Sequence, residues 1–404
     1  MDSSERQAMM KINYDRFLTT AEKVHIQILR ILTTLLTFAM WLLVLGGLGA
    51  VWLFSRYGVR LSSIALVLLF LLLYGGFQIL LIWVSLLCRR LRIAKRIIVW
   101  TFIWIPVINF FLALYVKGLA GQEIDHTLYK ISLDDVREER RICRTRYPLL
   151  LVHGVGFRDF RYFNYWGRIP RELVRNGARV YYGHQEAWGT VEKNGEILKE
   201  KIQEIKRETG CRKVNIIAHS KGGLDSRYLI SGLHMEDSVA TLTTISTPHR
   251  GSMLVDFLKR LPDRVYRMVC RWIDLYFGKM GDRYPDAYTA SSQLSTAYAE
   301  EFNRKYPDAP GIYYQSFASL MSCGLSSKLL CIPYWVLKAL DAPNDGLVTV
   351  ESARWADFKG VLTNTHMRGI SHGDMIDLTR EDYRGFDVTE FYVKLAEELK
   401  QRGF

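Results

Sequence analysis

The sequence predicts an α/β fold, a mostly parallel sheet covered by helices, preceded by a transmembrane helical segment. Three observations predict it. Short β-branched runs alternate with helical stretches beyond about residue 147. Long apolar runs flanked by Arg and Lys fill the first 120 residues. VNIIAHSKGGLDSRYLI (214–230) passes from a strand-like run to a helix-like one through a serine set among small residues. With 404 residues, 49% of them apolar, the chain is long enough for one large domain or two smaller ones.

The formal charge is +13, but residues 1–120 hold 13 Lys and Arg against 4 Asp and Glu, and so carry +9 of it. Basic residues alternating with long apolar runs describe membrane flanks rather than a nucleic-acid groove, so no nucleic-acid partner is expected. The cysteines (Cys88, Cys143, Cys211, Cys270, Cys323, Cys331) form no CxxC pair and no zinc-like spacing with histidine. They read as buried free thiols, with Cys323 and Cys331 able to pair if their segment lies outside the cytosol.

Residues 1–120 are expected to form a membrane segment of about three transmembrane helices. Ile31–Phe54 lies between Arg30 and Arg56, and Leu61–Cys88 between Arg60 and the cluster Arg89, Arg90, Arg92, Lys95, Arg96. Ile97–Val116 ends at Lys117 and carries Pro106 and Asn109. Each approaches or exceeds the about 20 apolar residues a bilayer requires. The polar stretch ahead of the first run and the lack of a small-residue cleavage site argue against a removed signal peptide. The N-terminal segment holds Arg6, Lys11, Arg16, Lys23 and Arg30 and the second loop a similar cluster, whereas the first loop has only Arg56 and Arg60. The N-terminus and second loop therefore read as cytoplasmic. Three crossings of the cell membrane then leave everything after Lys117 extracytoplasmic; a re-entrant third run inverts that orientation.

Residues 121–146 read as a charged connector and 147–404 as a globular domain. PLLLV (148–152), ARVYYG (178–183), KVNIIAHS (213–220), VATLTTIST (239–247) and GIYYQSFAS (311–319) are strand candidates. Between the second and third, VEKNGEILKEKIQEIKRETG puts Ile197, Leu198, Ile202 and Ile205 on one helical face, with Gly210 at the C-cap. The aromatic-rich stretch at about 252–290 has helical spacing and is expected to be a lid-like insertion, apolar underneath and polar outside. An ordinary pair of packing helices is the alternative.

AHSKG has the spacing of the nucleophile elbow G-x-S-x-G, with Ala218 and Gly222 in the small positions where strand and helix meet too closely for larger side chains. His153-Gly154-Val155 ends an earlier strand, where a second oxyanion amide is expected. The donors would be the backbone N–H groups of Val155 and Lys221. An acid and a histidine follow in the order Ser, Asp, His: Asp345 in PNDGLV and His372 in GISHGD.

The stretches YPLLLVHGVGF, YWGRIPRELVRNGARVY, KVNIIAHSKGGLDSRYL, TTISTPHRGS, FNRKYP, YYQSFAS, NDGLV and ISHGD run in order across most of residues 147–374. In them the chain resembles the bacterial triacylglycerol lipases, the true-lipase group of the α/β-hydrolase fold. The resemblance implies Ser220 as nucleophile, Asp345 as acid and His372 as base, acting through an acyl-enzyme. Many members of that family hold calcium through two aspartates, one just after the catalytic histidine. Asp374 fits that position, while SSKLLCIPYW offers no evident partner. No cofactor is therefore required, and a structural calcium near Asp374 stays an option.

His366 competes as base and Asp341 as acid. His249 in STPHRG is expected to pack beside the elbow, and His153 and His219 to shape the oxyanion turn and the elbow rather than take protons. Lys221 is expected to act through its amide, its charge being incidental. The combined reading is a membrane-anchored serine ester hydrolase, a lipase or esterase taking lipid or other acyl-ester substrates. An acyltransferase using the same triad and a non-catalytic membrane scaffold are the alternatives.

Overall fold

Four helices build the first of two units, Met1–Glu139, and a six-stranded sheet the second, Arg140–Phe404. The computed structural model describes residues 3–57, 62–91, 93–137, 141–156, 164–340, 342–364, 368–380 and 385–404. In the first unit α1 (Ser3–Tyr57) and α2 (Ser62–Leu87) contain stretches, Ala21–Arg56 and Leu66–Leu87, long and apolar enough to cross a membrane.

The third apolar run is not one helix. It breaks into α3 (Ile93–Phe102) and α4 (Pro106–Arg137), because Pro106 lacks an N–H and is accommodated only at a helix start. Ten residues of α3 span about 15 Å, half of a bilayer core. Hydrogen bonds then trace a hairpin. Along α3, Arg96 donates to Cys88 O (3.1 Å), Trp100 Nε1 to Ser85 Oγ (2.9 Å), and Gln78 Nε2 to Ile103 O (2.8 Å), so α3 runs back along α2. Along α4, Asn109 Nδ2 donates to Tyr74 Oη (2.7 Å), while Glu123 accepts from the Arg89 N–H (2.7 Å) and lies 3.0 Å from His25 Nε2. Thus α4 returns to the end of α2, beside the start of the apolar part of α1. The third apolar run is thus shared between α3 and the start of α4, which double back along α2. The charged stretch expected as a connector continues α4 as helix to Arg137.

The second unit follows the alternation read from the sequence. Its path is β1 (Leu149–Val152), α5 (Ile169–Arg175), β2 (Val180–Tyr182), α6 (Val191–Thr209), β3 (Val214–His219), α7 (Lys221–Arg227) and β4 (Val239–Ile245). Then come α8 (Met253–Leu258), α9 (Asp263–Lys279), α10 (Ala287–Ser292), α11 (Thr296–Lys305), β5 (Tyr313–Ser319), α12 (Cys331–Ala339), α13 (Val350–Ala353), β6 (Asp357–Leu362) and α14 (Val388–Gln401). The strands lie in the order β2-β1-β3-β4-β5-β6, every pair parallel.

Alternation along β1 explains the layers. Leu149 and Leu151 face the cluster with Ile169 and Leu173 of α5 and Tyr392, Val393 and Leu399 of α14. Leu150 and Val152 face Leu198, Ile202 and Ile205 of α6. The latter helix begins on a Thr190 cap and ends at Gly210 in the left-handed conformation (φ 68°), as its C-cap position requires. The sixth strand, DFKGVL, has no counterpart among the expected strands. It is a partly exposed edge strand carrying Asp, Lys and a glycine, so it lacks the apolar run that marks the buried ones.

The 252–290 segment forms α8 and α9, with α10 starting within it. Its apolar side chains do not all turn inward. In α9 Tyr266 and Cys270 are buried, whereas Met268, Trp272 (70% exposed), Leu275 and Tyr276 face outward. The helix carries two apolar stripes, and only one finds protein to pack against.

Candidate active site

Ser220, Asp345 and His372 lie in turns and loops that follow the carboxyl ends of the parallel strands, the edge at which loops of such sheets bind ligands. Ser220 stands between the end of β3 and the start of α7 with φ 55° and ψ −132°, a conformation that strains a non-glycine residue. The turn is held from three sides. Ser220 N–H donates to Ile245 O (3.0 Å), while Ser220 O accepts from Gly223 N–H (3.0 Å) and Thr247 Oγ1 (2.8 Å). A Cβ at Gly222 would strike the carbonyl oxygens of His153 and, at 2.7 Å, Val152, so the motif's second small position is dictated by backbone of β1.

The His153-Gly154-Val155 turn lies against the serine: a Cβ on Gly154 would sit 2.7 Å from Ser220 Cβ. His153 is buried, its ring nitrogens 2.7 Å from Gly154 O and 2.9 Å from Gln185 O, and Gly156 N–H donates to Ala187 O (3.0 Å). Whichever ring nitrogen carries the proton donates to one of these carbonyls and helps fix this turn. The Lys221 N–H is the first of α7 and, as a first-turn donor, has no acceptor within the helix.

Asp345 and His372 meet. His372 Nδ1 donates to Asp345 Oδ2 at 2.9 Å, and the His372 backbone N–H to Asp345 O at 2.9 Å. The carboxylate also accepts from Ser319 Oγ (3.0 Å), Leu347 N–H (3.0 Å) and Val348 N–H (2.9 Å). Burial opposes ionisation of Asp345, but the attraction of His372 and these hydrogen bonds outweigh it and hold its carboxyl below the usual range. The His372 ring lies 4.4 Å, centroid to centroid, from that of His219, the residue before the serine. Burial, reinforced by the His372 charge, keeps His219 well below the ordinary imidazole value, and its Nδ1 lies 2.7 Å from Tyr165 Oη. His219 thus stays neutral, packed against the His372 ring.

One expectation fails. The Lys221 charge is not incidental: the side chain is buried, with Nζ 2.6 Å from Asp225 Oδ1, and Asn194 Nδ2 donates to Asp225 Oδ2 at 2.9 Å. Burial, partly offset by Lys221, pushes the Asp225 carboxyl up to about 6. The i, i+4 spacing of Lys221 and Asp225 was the available signal, but it reads equally as a solvated helix pair. Tyr165 and Ser319 were likewise not singled out, since only the folded chain brings them to His219 and Asp345. His249 is buried after β4, stacked on Trp355 at 4.4 Å, with Nε2 2.9 Å from Thr244 Oγ1. His366 and Asp341 lie outside the described residues.

Asp374 is a poor metal ligand here. Its Oδ2 accepts from Ser371 N–H (2.9 Å), its Oδ1 faces the Arg368 guanidinium at 3.4 Å, and no group of three or more His, Cys, Asp or Glu able to hold a metal occurs among the described residues. A guanidinium beside the carboxylate does not suit a divalent cation.

A parallel sheet with a strained serine between strand and helix, followed in the chain by a buried Asp–His pair, defines an α/β-hydrolase. The match to known proteins narrows the class. Residues 186–274 match a family profile described as a PGAP1-like alpha/beta domain. Triacylglycerol lipase 2 of Saccharomyces cerevisiae is 28% identical over 265 residues, 59% of this chain and 74% of that one. A triacylglycerol lipase of Burkholderia plantarii is 31% identical over 258 residues, 60% of this chain and 67% of that one. The mature lipase BlEst2 of Bacillus licheniformis overlays with a TM-score of 0.46 at 23% identity, covering 62% of this chain and 91% of that one. The chain belongs to the lipase family of the α/β-hydrolase superfamily and is a carboxylic ester hydrolase.

Proposed function

We propose that the chain is a membrane-anchored serine hydrolase that cleaves acyl esters of lipids through an acyl-enzyme on Ser220. The observation that carries this reading is the Asp345–His372 pair, 2.9 Å apart and lodged beside the elbow. Asp345 fixes the tautomer that leaves His372 Nε2 free to take the Ser220 proton; the alkoxide attacks the ester carbonyl, and His372 then protonates the departing alcohol. Water, activated by the same imidazole, releases the acid. The Val155 and Lys221 N–H groups stabilise the tetrahedral oxyanion, each such donor lowering the barrier by about 3 kcal/mol. The outward apolar residues of α8 and α9, Phe257, Trp272 and Leu275 among them, suit a lid segment that meets acyl chains at a lipid surface. Replacing Ser220 by Ala is expected to abolish both fluorophosphonate labelling and hydrolysis of p-nitrophenyl esters. Wild-type rates in that variant would refute the assignment.

The anchor is the pair α1 and α2, with α3 and α4 as a re-entrant hairpin. With the basic N-terminus and the Arg89–Arg96 cluster on the cytoplasmic side, two crossings return the chain to that side. The catalytic unit then faces the cytoplasm, opposite to what three crossings imply. Protection of the catalytic unit from protease in intact cells, and its digestion after permeabilisation, is the expected result; digestion in intact cells would overturn it.

A further inference from the structure

At the opposite edge of the sheet, before the strands begin, lies a cavity of about 520 Å³ whose side chains are mainly cationic. Arg144, Arg146, Arg179 and Lys400 line it together with Gly177 and Phe404, and Lys400 Nζ donates to Arg141 O at 3.0 Å. The segment entering β1 supplies Arg144 and Arg146, the turn into β2 supplies Arg179, and α14 supplies Lys400. Main-chain bonds lock these segments together: Arg146 N–H donates to Phe404 O (2.7 Å) and Leu149 N–H to Arg179 O (2.8 Å).

The guanidinium of Arg179 donates to the Arg146 carbonyl at 3.4 Å, and that of Arg146 lies 5.3 Å from the Tyr147 ring. Among the described residues none of the three arginines has a carboxylate partner. The acid closest along α14, Glu398, is already bound to Arg402 and Lys359. The three guanidiniums are exposed, so solvent screens their mutual repulsion, but they still present a cationic concavity that favours an anion. Guanidinium forks match phosphate oxygens bidentately, and a doubly charged monoester satisfies more of them than a diester does.

We propose that this cavity binds a phosphate monoester group, carried either by a phosphatidate-type lipid or by a soluble phosphate compound. The inference is independent of the triad, which lies at the other edge.

The test is calorimetric titration of the full chain in detergent micelles with inorganic phosphate, dioctanoyl phosphatidate and dioctanoyl phosphatidylcholine. It compares the wild type with Arg144→Gln/Arg179→Gln and with Arg144→Lys/Arg179→Lys. The expected result is saturable binding of phosphatidate, inorganic phosphate or both. Affinity should fall about tenfold for each guanidinium replaced by glutamine and less for lysine, with p-nitrophenyl ester hydrolysis unchanged. Equal affinity for phosphate and phosphatidate identifies a soluble ligand, and binding of phosphatidate alone identifies a lipid headgroup. A ligand in the catalytic cleft would be insensitive to these arginines. No saturable binding to the wild type, equal binding of phosphatidylcholine, or unchanged affinity in the glutamine variant overturns the proposal.

Discussion

Replacing Lys221 by Met separates the two roles that residue combines, since the amide stays and the charge goes. Asp225 is then left buried, with Asn194 as its remaining side-chain hydrogen-bond donor. In the wild type its carboxyl is already pushed up to about 6, against about 3.9 in an unfolded chain. A raised carboxyl contributes stability that is fully present below about pH 4 and is lost as pH rises through the folded value, so the wild-type loss ends near pH 6. Removing Lys221 takes away the attraction and the hydrogen bond that lower the value, so the loss continues above pH 6. The variant should therefore match the wild type in acid and fall behind by about 1.4 kcal/mol per pH unit above 6, or about 3 kcal/mol at pH 8. For a unit of this size that is roughly 6–12 °C in melting temperature. The assay is thermal unfolding of the detergent-solubilised chain from pH 5 to 8, with ester hydrolysis followed alongside; activity near pH 5.5 should be retained. A stability difference independent of pH, or one that grows toward acid, would refute the argument.

Changing Asp345 to Asn removes the carboxylate that sets the His372 tautomer and should lower kcat about 10⁴-fold, with the melting temperature as a control for folding. Steady-state kinetics on a short-chain ester measures it, and a loss under tenfold would count against the assignment. Gly222→Ala drives a methyl group into the His153 and Val152 carbonyls and is expected to destabilise the second unit or distort the elbow. Unaltered fluorophosphonate labelling together with an unaltered melting temperature would contradict the close approach.

The strands β1 to β5 and the α6 helix were legible because each is an apolar or periodic run bounded by turn residues, a property of neighbours along the chain. The elbow was legible for the same reason. Ser220, its flanking small residues and the segments around it are consecutive, and their spacing is the geometry. Asp345 and His372 entered through chain order and resemblance rather than through any local pattern, and the fold brings them to hydrogen-bonding distance. The edge strand β6 escaped detection because a half-exposed strand with Asp357, Lys359 and Gly360 does not stand out from a loop.

Residue order and hydropathy were enough to establish an apolar N-terminal segment, an alternating α/β unit and a serine on a strand-to-helix turn, since all three are encoded within windows of a few residues. Long-range contact decided the rest. A run interrupted by proline has the same hydropathy whether it forms one helix or two, and the bonds from Glu123 to Arg89 and His25 bring α4 back to the end of α2. A lysine four residues before an aspartate looks the same on a wet helix as in a core. Burial of Lys221 and Asp225 in the helix that follows Ser220 turns that ordinary pair into part of the elbow, because a charge removed from water must find its counter-charge inside the protein.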